Sequence, residues 1–338
     1  MRKLLVLLFA AAIIGIVISR SRGSEPAREP AAPGQPDPHP GAVAAPPGQS
    51  AVAAALGGAP AQQAPRAAEP AERMRLSAVT AEEPPHPAPA QEDAPAEEPA
   101  DSARMAALQE GVALLKEGRF SEARPVLTGL YLSSRGELAR SLRELLDYAS
   151  RQTFLNPRNL EGAVVHVVQP GETLTVIGKK YGVNWRTIQF LNGMSTDRLS
   201  VGQQLKVPTA TPGAVAVKSE FRMALLMDGL YVKEYGIGIG RDDLTPSGEF
   251  TVDSMLVRPR WYKPGGGIVE YGEEGHLLGE RWIGFRDEPG ATGLGIHGTN
   301  EEATIGTKCS NGCIRMRNED VIEFYGFARV GMRVRVVE

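Results

Sequence analysis

The sequence predicts a multidomain chain whose C-terminal part, residues 215–338, is a β-rich domain with one late helix. Before it stand a small strand-helix-helix-strand domain over 163–208, a short helical hairpin over 103–155 and a disordered Pro/Ala/Glu-rich tether over 21–102. Three observations predict this order. No Phe, Trp or Tyr occurs between Phe9 and Phe120, and 17 of the 26 prolines fall between Pro26 and Pro99. Such a stretch cannot bury enough apolar surface to offset the entropy of ordering it. From Met105 to Leu146 apolar residues recur at three- and four-residue spacing. After Val215, short apolar runs alternate with glycine turns instead.

At the N-terminus, Arg2 and Lys3 precede an apolar run from Leu4 to Ile18, followed by Ser19, Arg20 and Arg22. A positive start and an apolar core make an export signal. The run is shorter than the roughly 20 residues of a spanning helix. No small-x-small cleavage site and no lipid-accepting cysteine follows it, so residues 1–20 read as an uncleaved membrane anchor in preference to a cleaved signal peptide. The positive-inside rule then sends the rest of the chain outward, to the cell envelope or periplasm. Residues 21–102 read as an extended tether. A net charge of -3 and the lack of any Lys/Arg run argue against nucleic acid as a partner.

In 103–155, Leu108, Val112, Leu115, Phe120, Ala123, Leu127 and Leu130 keep helical spacing, and Leu138, Leu142, Leu145 and Leu146 continue it. Gly118-Arg119 breaks the first helix. The pattern resembles one tetratricopeptide-type hairpin, and one such unit cannot form a stable solenoid. It reads as a helical spacer, or as a peptide-binding or assembly hairpin.

In 163–208, Val164–Val168 forms a strand and Gln169-Pro170-Gly171-Glu172-Thr173-Leu174 a turn in which Thr173 can cap a helix. Leu174, Ile177 and Tyr181 share one helical face, and Trp185, Ile188 and Leu191 share another. Asn192-Gly193 turns the chain toward Val201-Gly202-Gln203-Gln204-Leu205-Lys206-Val207-Pro208. These elements resemble a LysM domain along its whole length. The resemblance implies binding to peptidoglycan glycan strands through Gly171, Glu172, Thr173 and Leu174 and through the loop from Asn192 to Thr196. Gly178 stands where that family commonly has alanine, which weakens the first helix by roughly 1 kcal/mol.

Beyond the linker Thr209–Gly213, strands are expected at Val215–Val217, Met223–Met227, Leu230–Tyr235, Gly236–Gly240, Glu249–Val252, Arg281–Phe285, Gly295–Ile296 and Arg333–Val337. Glu319–Phe327 reads as the one helix, with Val321, Ile322 and Phe324 on its apolar face.

The chemistry concentrates between His297 and Cys313. The chain holds five histidines and two cysteines, and one of each stands at the ends of this segment. A thiol is nucleophilic as the thiolate, and a nearby imidazole is the usual way to form it. Ser310, Asn311 and Gly312 suit a tight turn that presents the N–H groups of Gly312 and Cys313 to an oxyanion. A Cys309–Cys313 bridge would consume the nucleophile, and the motif argues for free thiols. Cys309, Cys313, His276 and His297 could in principle bind zinc. His276 lies in the glycine- and glutamate-rich loop Gly272–Gly279 and reads as a surface residue.

Four motifs carry a resemblance to the L,D-transpeptidase catalytic domain of the YkuD type. They are Gly240…Thr245-Pro246-Ser247-Gly248-Glu249-Phe250, Arg281-Trp282-Ile283-Gly284-Phe285, Ile296-His297-Gly298-Thr299 and Ser310-Asn311-Gly312-Cys313-Ile314-Arg315-Met316. The family often has histidine where Asn311 stands. The resemblance implies that Cys313 forms a thioester with a peptidoglycan stem peptide, that His297 moves the proton, and that the Gly298 carbonyl orients the imidazole. No metal, ATP or other cofactor is implied. Arg315 is either a scaffold ion pair or a binder of the substrate carboxylate. Ser310 and Asn311 form the turn or touch substrate, and Trp282 is core or substrate wall. Cross-linking, trimming of the terminal D-alanine or cleavage of cross-links by the same fold with water as acceptor, attachment of envelope proteins, and a vestigial wall-binding adaptor all remain open at this level.

Overall fold

The computed structural model describes residues 98–263 and 265–338. The anchor expected over 1–20 and nearly all of the tether expected over 21–102 lie outside the described residues. Among those described, no helix is long and apolar enough to cross a membrane.

The helical segment comprises three helices: α1 (Glu98–Lys116), α2 (Phe120–Ser133) and α3 (Gly136–Gln152). Their apolar stripes face one side because the spacing repeats every turn. Leu127, Tyr131, Leu142 and Leu146 are buried against Val215, Val217, Ala224 and Tyr231 of the C-terminal domain. The helices therefore form a layer on one face of its sheet. Arg124 crosses this interface almost wholly buried, donating to the Tyr231 carbonyl at 2.7 Å and pairing with Glu161.

The next domain runs β1 (Ala163–Val167), α4 (Leu174–Tyr181), α5 (Trp185–Leu191) and β2 (Gln204–Pro208). The strands pair antiparallel from Ala163↔Pro208 to Val167↔Gln204. Thr173 Oγ1 accepts from the Val176 N–H at 3.3 Å and so caps α4. Gly178 has a packing reason: a Cβ there would stand 2.7 Å from the Val183 carbonyl oxygen. This domain is fixed to its neighbours. Buried Lys206 donates through Nζ to the Phe154 carbonyl at 2.6 Å and the Asn156 carbonyl at 2.9 Å.

The C-terminal domain begins with β3 (Pro212–Val217), β4 (Arg222–Met227), β5 (Leu230–Gly236), β6 (Ile239–Gly240) and β7 (Gly248–Val257). It continues with β8 (Trp261–Tyr262), β9 (Ile268–Val269), β10 (Arg281–Phe285), β11 (Gly295–His297), β12 (Lys308–Ser310) and β13 (Ile314–Arg315). The last elements are α6 (Asn318–Phe327) and β14 (Arg333–Val337). Eight strands form one sheet in the order β13-β11-β10-β7-β14-β3-β4-β5, with β12 and β6 paired separately. The inner face meets α6 through Phe324, Val321, Ile283, Ile296 and Val334. Thr187 of α5 donates to the Gly326 carbonyl, so the α4–α5 domain also rests on α6.

Candidate active site

His297 ends β11, and Cys313 stands immediately before β13. β11 pairs parallel with β13, Ile296 opposite Ile314 and His297 opposite Arg315. Ile296 and Ile314 are 0% and 1% exposed in the core. Because side chains alternate along a strand, Gly295, His297, Cys313 and Arg315 turn to the other face. Cys313 stands one step before Ile314, opposite Gly295 and diagonal to His297. Strand spacing and rise put the two Cα atoms about 8 Å apart.

The His297 Nδ1 lies 2.6 Å from the Gly298 carbonyl oxygen. A carbonyl only accepts, so Nδ1 carries the proton and Nε2 is left with its lone pair. Trp282, opposite His297 on β10, stacks on the imidazole at 6.0 Å between centroids and 22° between planes. The indole lies over glycine: a Cβ on Gly295 would meet its ring at 3.0 Å, and one on Gly284 its Nε1 at 2.5 Å. Trp282 is thereby packed, 8% exposed, against the imidazole and the two glycines.

The turn before Cys313 is held from two sides. Ser310 Oγ donates to the Cys313 carbonyl at 2.6 Å and accepts from the Gly312 N–H at 3.1 Å. Gly312 has φ +124°, and a Cβ there would stand 2.8 Å from Leu294 Cδ2 and 2.9 Å from the Leu244 carbonyl oxygen. Thr245 Oγ1 donates to the Gly312 carbonyl at 2.8 Å and accepts from the Gly240 N–H at 2.7 Å. Of the two expected oxyanion donors, the Gly312 N–H is thus engaged by Ser310. Among the described residues no acceptor is bonded to the Cys313 N–H. Asn311 is exposed at the tip of the turn. Thr245 was not singled out from sequence for a role of its own, although it begins the Thr245–Phe250 motif.

Arg315 is buried, with Nη1 on Glu301 at 2.8 Å and Nε without a partner among the described residues. Its ion pair fits the scaffold role, while its charge also acts on both reactive groups. Burial pushes the Cys313 thiol up to about 11, against the Gly295 N–H and the Arg315 charge. Burial also pulls His297 down to about 4, helped by Arg315 and His276 and opposed by the Gly298 carbonyl. The Cys313 thiol lies 3.7 Å from the Gly293 carbonyl oxygen. The resting arrangement is therefore a neutral thiol and a neutral imidazole.

His276 is not a surface residue: it is 4% exposed, with Nε2 2.7 Å from the Pro259 carbonyl oxygen and Nδ1 buried without a partner among the described residues. The polar loop folds back on the end of β11, since a Cβ on Gly279 would stand 2.7 Å from the Gly298 carbonyl carbon. Composition alone does not report that fold-back. Cys309 and Cys313 are both free thiols, and Cys309 Sγ faces the Thr304 carbonyl at 3.5 Å. Among the described residues, no group of three or more His, Cys, Asp or Glu is placed to hold a metal ion.

In the α4–α5 domain, the residues expected on the glycan surface divide. Gly171 is open to solvent, with nothing within 4 Å of where a Cβ would be. Glu172 accepts from the Gln169 N–H at 2.8 Å and lies 2.7 Å from His166 Nε2, which together hold its carboxyl below the usual range. Leu174 is 2% exposed in the domain core. Asn192 uses its amide on the Ile188 and Lys206 carbonyls and the Lys206 N–H, at 2.7 to 2.8 Å. The Leu174 and Asn192 side chains therefore shape the loops from within, leaving Gly171 and the loop backbone outward.

Residues 212–336 match the YkuD family, the L,D-transpeptidase catalytic domain, and residues 166–208 match the LysM domain. The provisionally named L,D-transpeptidase YqjB of Bacillus subtilis (strain 168) is 38% identical over 130 residues, covering 38% of this chain and 72% of that protein. The provisionally named L,D-transpeptidase YkuD of Bacillus licheniformis is 30% identical over 181 residues, covering 51% of this chain and 98% of that protein. The crystal structure of L,D-transpeptidase 3 from Mycobacterium tuberculosis with a faropenem-derived adduct aligns at 20% identity and TM-score 0.32, over 41% of this chain and 66% of that one.

Proposed function

This chain belongs to the L,D-transpeptidase family, and we propose that it is an envelope enzyme that cross-links peptidoglycan stem peptides through a Cys313 thioester. The observation that carries the reading is the parallel register of β11 and β13, which sets His297 at the end of one strand and Cys313 immediately before the other, with His297 Nε2 unprotonated. The Cys313 thiol gives its proton to Nε2 as sulfur attacks the carbonyl carbon of the dibasic residue in a stem tetrapeptide. The carbonyl π pair moves to oxygen, which the Cys313 N–H stabilises. Collapse breaks the C–N bond, and the leaving D-alanine amine takes the proton from His297. A side-chain amine of a neighbouring stem then attacks the thioester and gives its proton to Nε2. The C–S bond breaks and the proton returns to sulfur. One peptide bond replaces another, so the balance needs no external energy source.

The LysM domain would hold the enzyme on the glycan, with Gly171 and the loop after Asn192 outermost. Residues 1–20 would keep the chain at the membrane on the envelope side. The reading is tested by mass spectrometry of the full chain incubated with disaccharide tetrapeptide. Cross-linked dimers with loss of D-alanine are expected. Tripeptide alone would replace cross-linking by trimming. Undiminished dimer from Cys313→Ala would refute the thioester.

A further inference from the structure

We propose that Thr245 is a positioning residue that aims the Cys313 N–H at the developing oxyanion, an assignment that rests on the acyl-transfer reading above. The peptide between Gly312 and Cys313 carries both the Gly312 C=O and the Cys313 N–H. A trans peptide is planar, so its C=O and N–H point opposite ways, and fixing one fixes the other. The Gly312 C=O is tied to Thr245 Oγ1 at 2.8 Å, and the same oxygen accepts from the Gly240 N–H at 2.7 Å. With its proton directed to Gly312 and a lone pair directed to Gly240, the hydroxyl has no freedom to rotate away. Thr245 is 3% exposed, so water cannot readily replace it.

The need for such a tie follows from the turn itself. Gly312 has φ +124°, a region open essentially to glycine alone. Glycine is also the residue most able to let the adjoining peptide rotate. Ser310 engages the Gly312 N–H and the Cys313 C=O. It does not touch the peptide unit between them. Among the described residues, Thr245 is the side chain bonded to that unit, through the Gly312 carbonyl.

Thr245 is gripped in turn. Its carbonyl accepts from buried Lys218 Nζ at 3.2 Å, and the same ammonium pairs with Asp243 at 2.6 Å and Glu338 at 2.6 Å. Asp242 and Asp243 both carry positive φ, 49° and 57°, unfavourable for non-glycine residues. A strained segment persists only where its surroundings over-determine it. Here the Lys218 clamp does so, at the residues that deliver Thr245 to the turn.

The test uses two reactions of the same sulfur in the full chain. Acylation by a carbapenem passes through an oxyanion, whereas alkylation by iodoacetamide does not. Thr245→Val should slow acylation about 10- to 100-fold, less than the 10²–10³ lost with an oxyanion donor outright. Alkylation should stay within about twofold, and Thr245→Ser should recover most of the acylation rate. If Thr245→Val does not fold, Thr245→Ala against Thr245→Ser yields the same comparison. Wild-type acylation by the hydroxyl-free variant overturns the assignment. So does an equal slowing of acylation and alkylation that Thr245→Ser fails to repair. A wild-type protein alkylated but never acylated removes the acyl-transfer reading itself, and this assignment with it.

Discussion

The Trp282 indole stacks on the His297 imidazole, 6.0 Å between centroids and 22° between planes, across a directly paired register position of β10 and β11. The ring excludes water from one side of the imidazole, and burial is the main reason that His297 is pulled down to about 4. Trp282→Ala should let solvent reach the ring and raise its pKa toward the ordinary 6.5. The acid limb of the acylation rate, which requires unprotonated Nε2, should then move up toward pH 6. A pH–rate profile for both proteins reads this directly, and superimposed acid limbs would contradict the role given to the indole.

The same shift makes stability depend on pH. The folded pKa of His297, about 4, lies below the ordinary value of 6.5, so between these values the unfolded chain binds more protons. His297 therefore favours the fold above pH 6.5, and that contribution is lost as pH falls toward 4. At full extent it amounts to roughly 3 kcal/mol. Denaturant midpoints of the wild type should fall over this window. His297→Gln should show a shallower fall, and equal slopes would argue against a buried neutral imidazole.

Which parts of this arrangement were legible in sequence follows from the range of the interactions. His297 and Cys313 stood out because scarce residue types fell inside local motifs. Strand-like runs such as Met223–Met227 and Arg333–Val337 lie within β4 and β14 because a continuous apolar run, buried on both faces in β4, and an alternating one in β14 each leave a local pattern. That β14 slots between β7 and β3 has no local signal at all. Likewise the stripe of Leu127, Leu142 and Leu146 announces that a helical face is buried, but not that a sheet covers it. Thr245 bonds to Gly312 across 67 residues, and His276 to Pro259 across 17. Composition cannot report contacts of that kind.

Gly312→Ala should disable acylation for two separable reasons. Alanine disfavours φ +124°, and its Cβ would stand 2.9 Å from the Leu244 carbonyl oxygen, which is backbone and cannot swing aside. Moving the turn displaces the Cys313 N–H, so a loss of about 10²-fold or more in acylation is expected. Gly306 is the control: its φ is +84° but nothing lies within 4 Å of a Cβ. Gly306→Ala should cost about 1 kcal/mol in stability while retaining acylation. Comparable kinetic losses in both variants would mean that strain alone, not displacement of the turn, is responsible.

Lys206 offers a test of how firmly the LysM domain is held. Its Nζ satisfies the Phe154 and Asn156 carbonyls at the end of α3, lies 5.4 Å from the Phe154 ring centroid, and is pulled down to about 8 by burial. Deleting the domain would be a poor probe, because Leu191 shares a core with Phe154 and Phe327. Lys206→Met keeps the length of the side chain but leaves both carbonyls without their donor, at about 1–3 kcal/mol for each buried group left unpaired. Limited proteolysis should then open the connection over 156–162. Acylation of Cys313 and retention on insoluble peptidoglycan should persist, since neither reacting group nor the outer glycan loops touch Nζ. Protease resistance equal to the wild type would show that the Thr187–Gly326 contact and the shared core hold the domain without this ammonium.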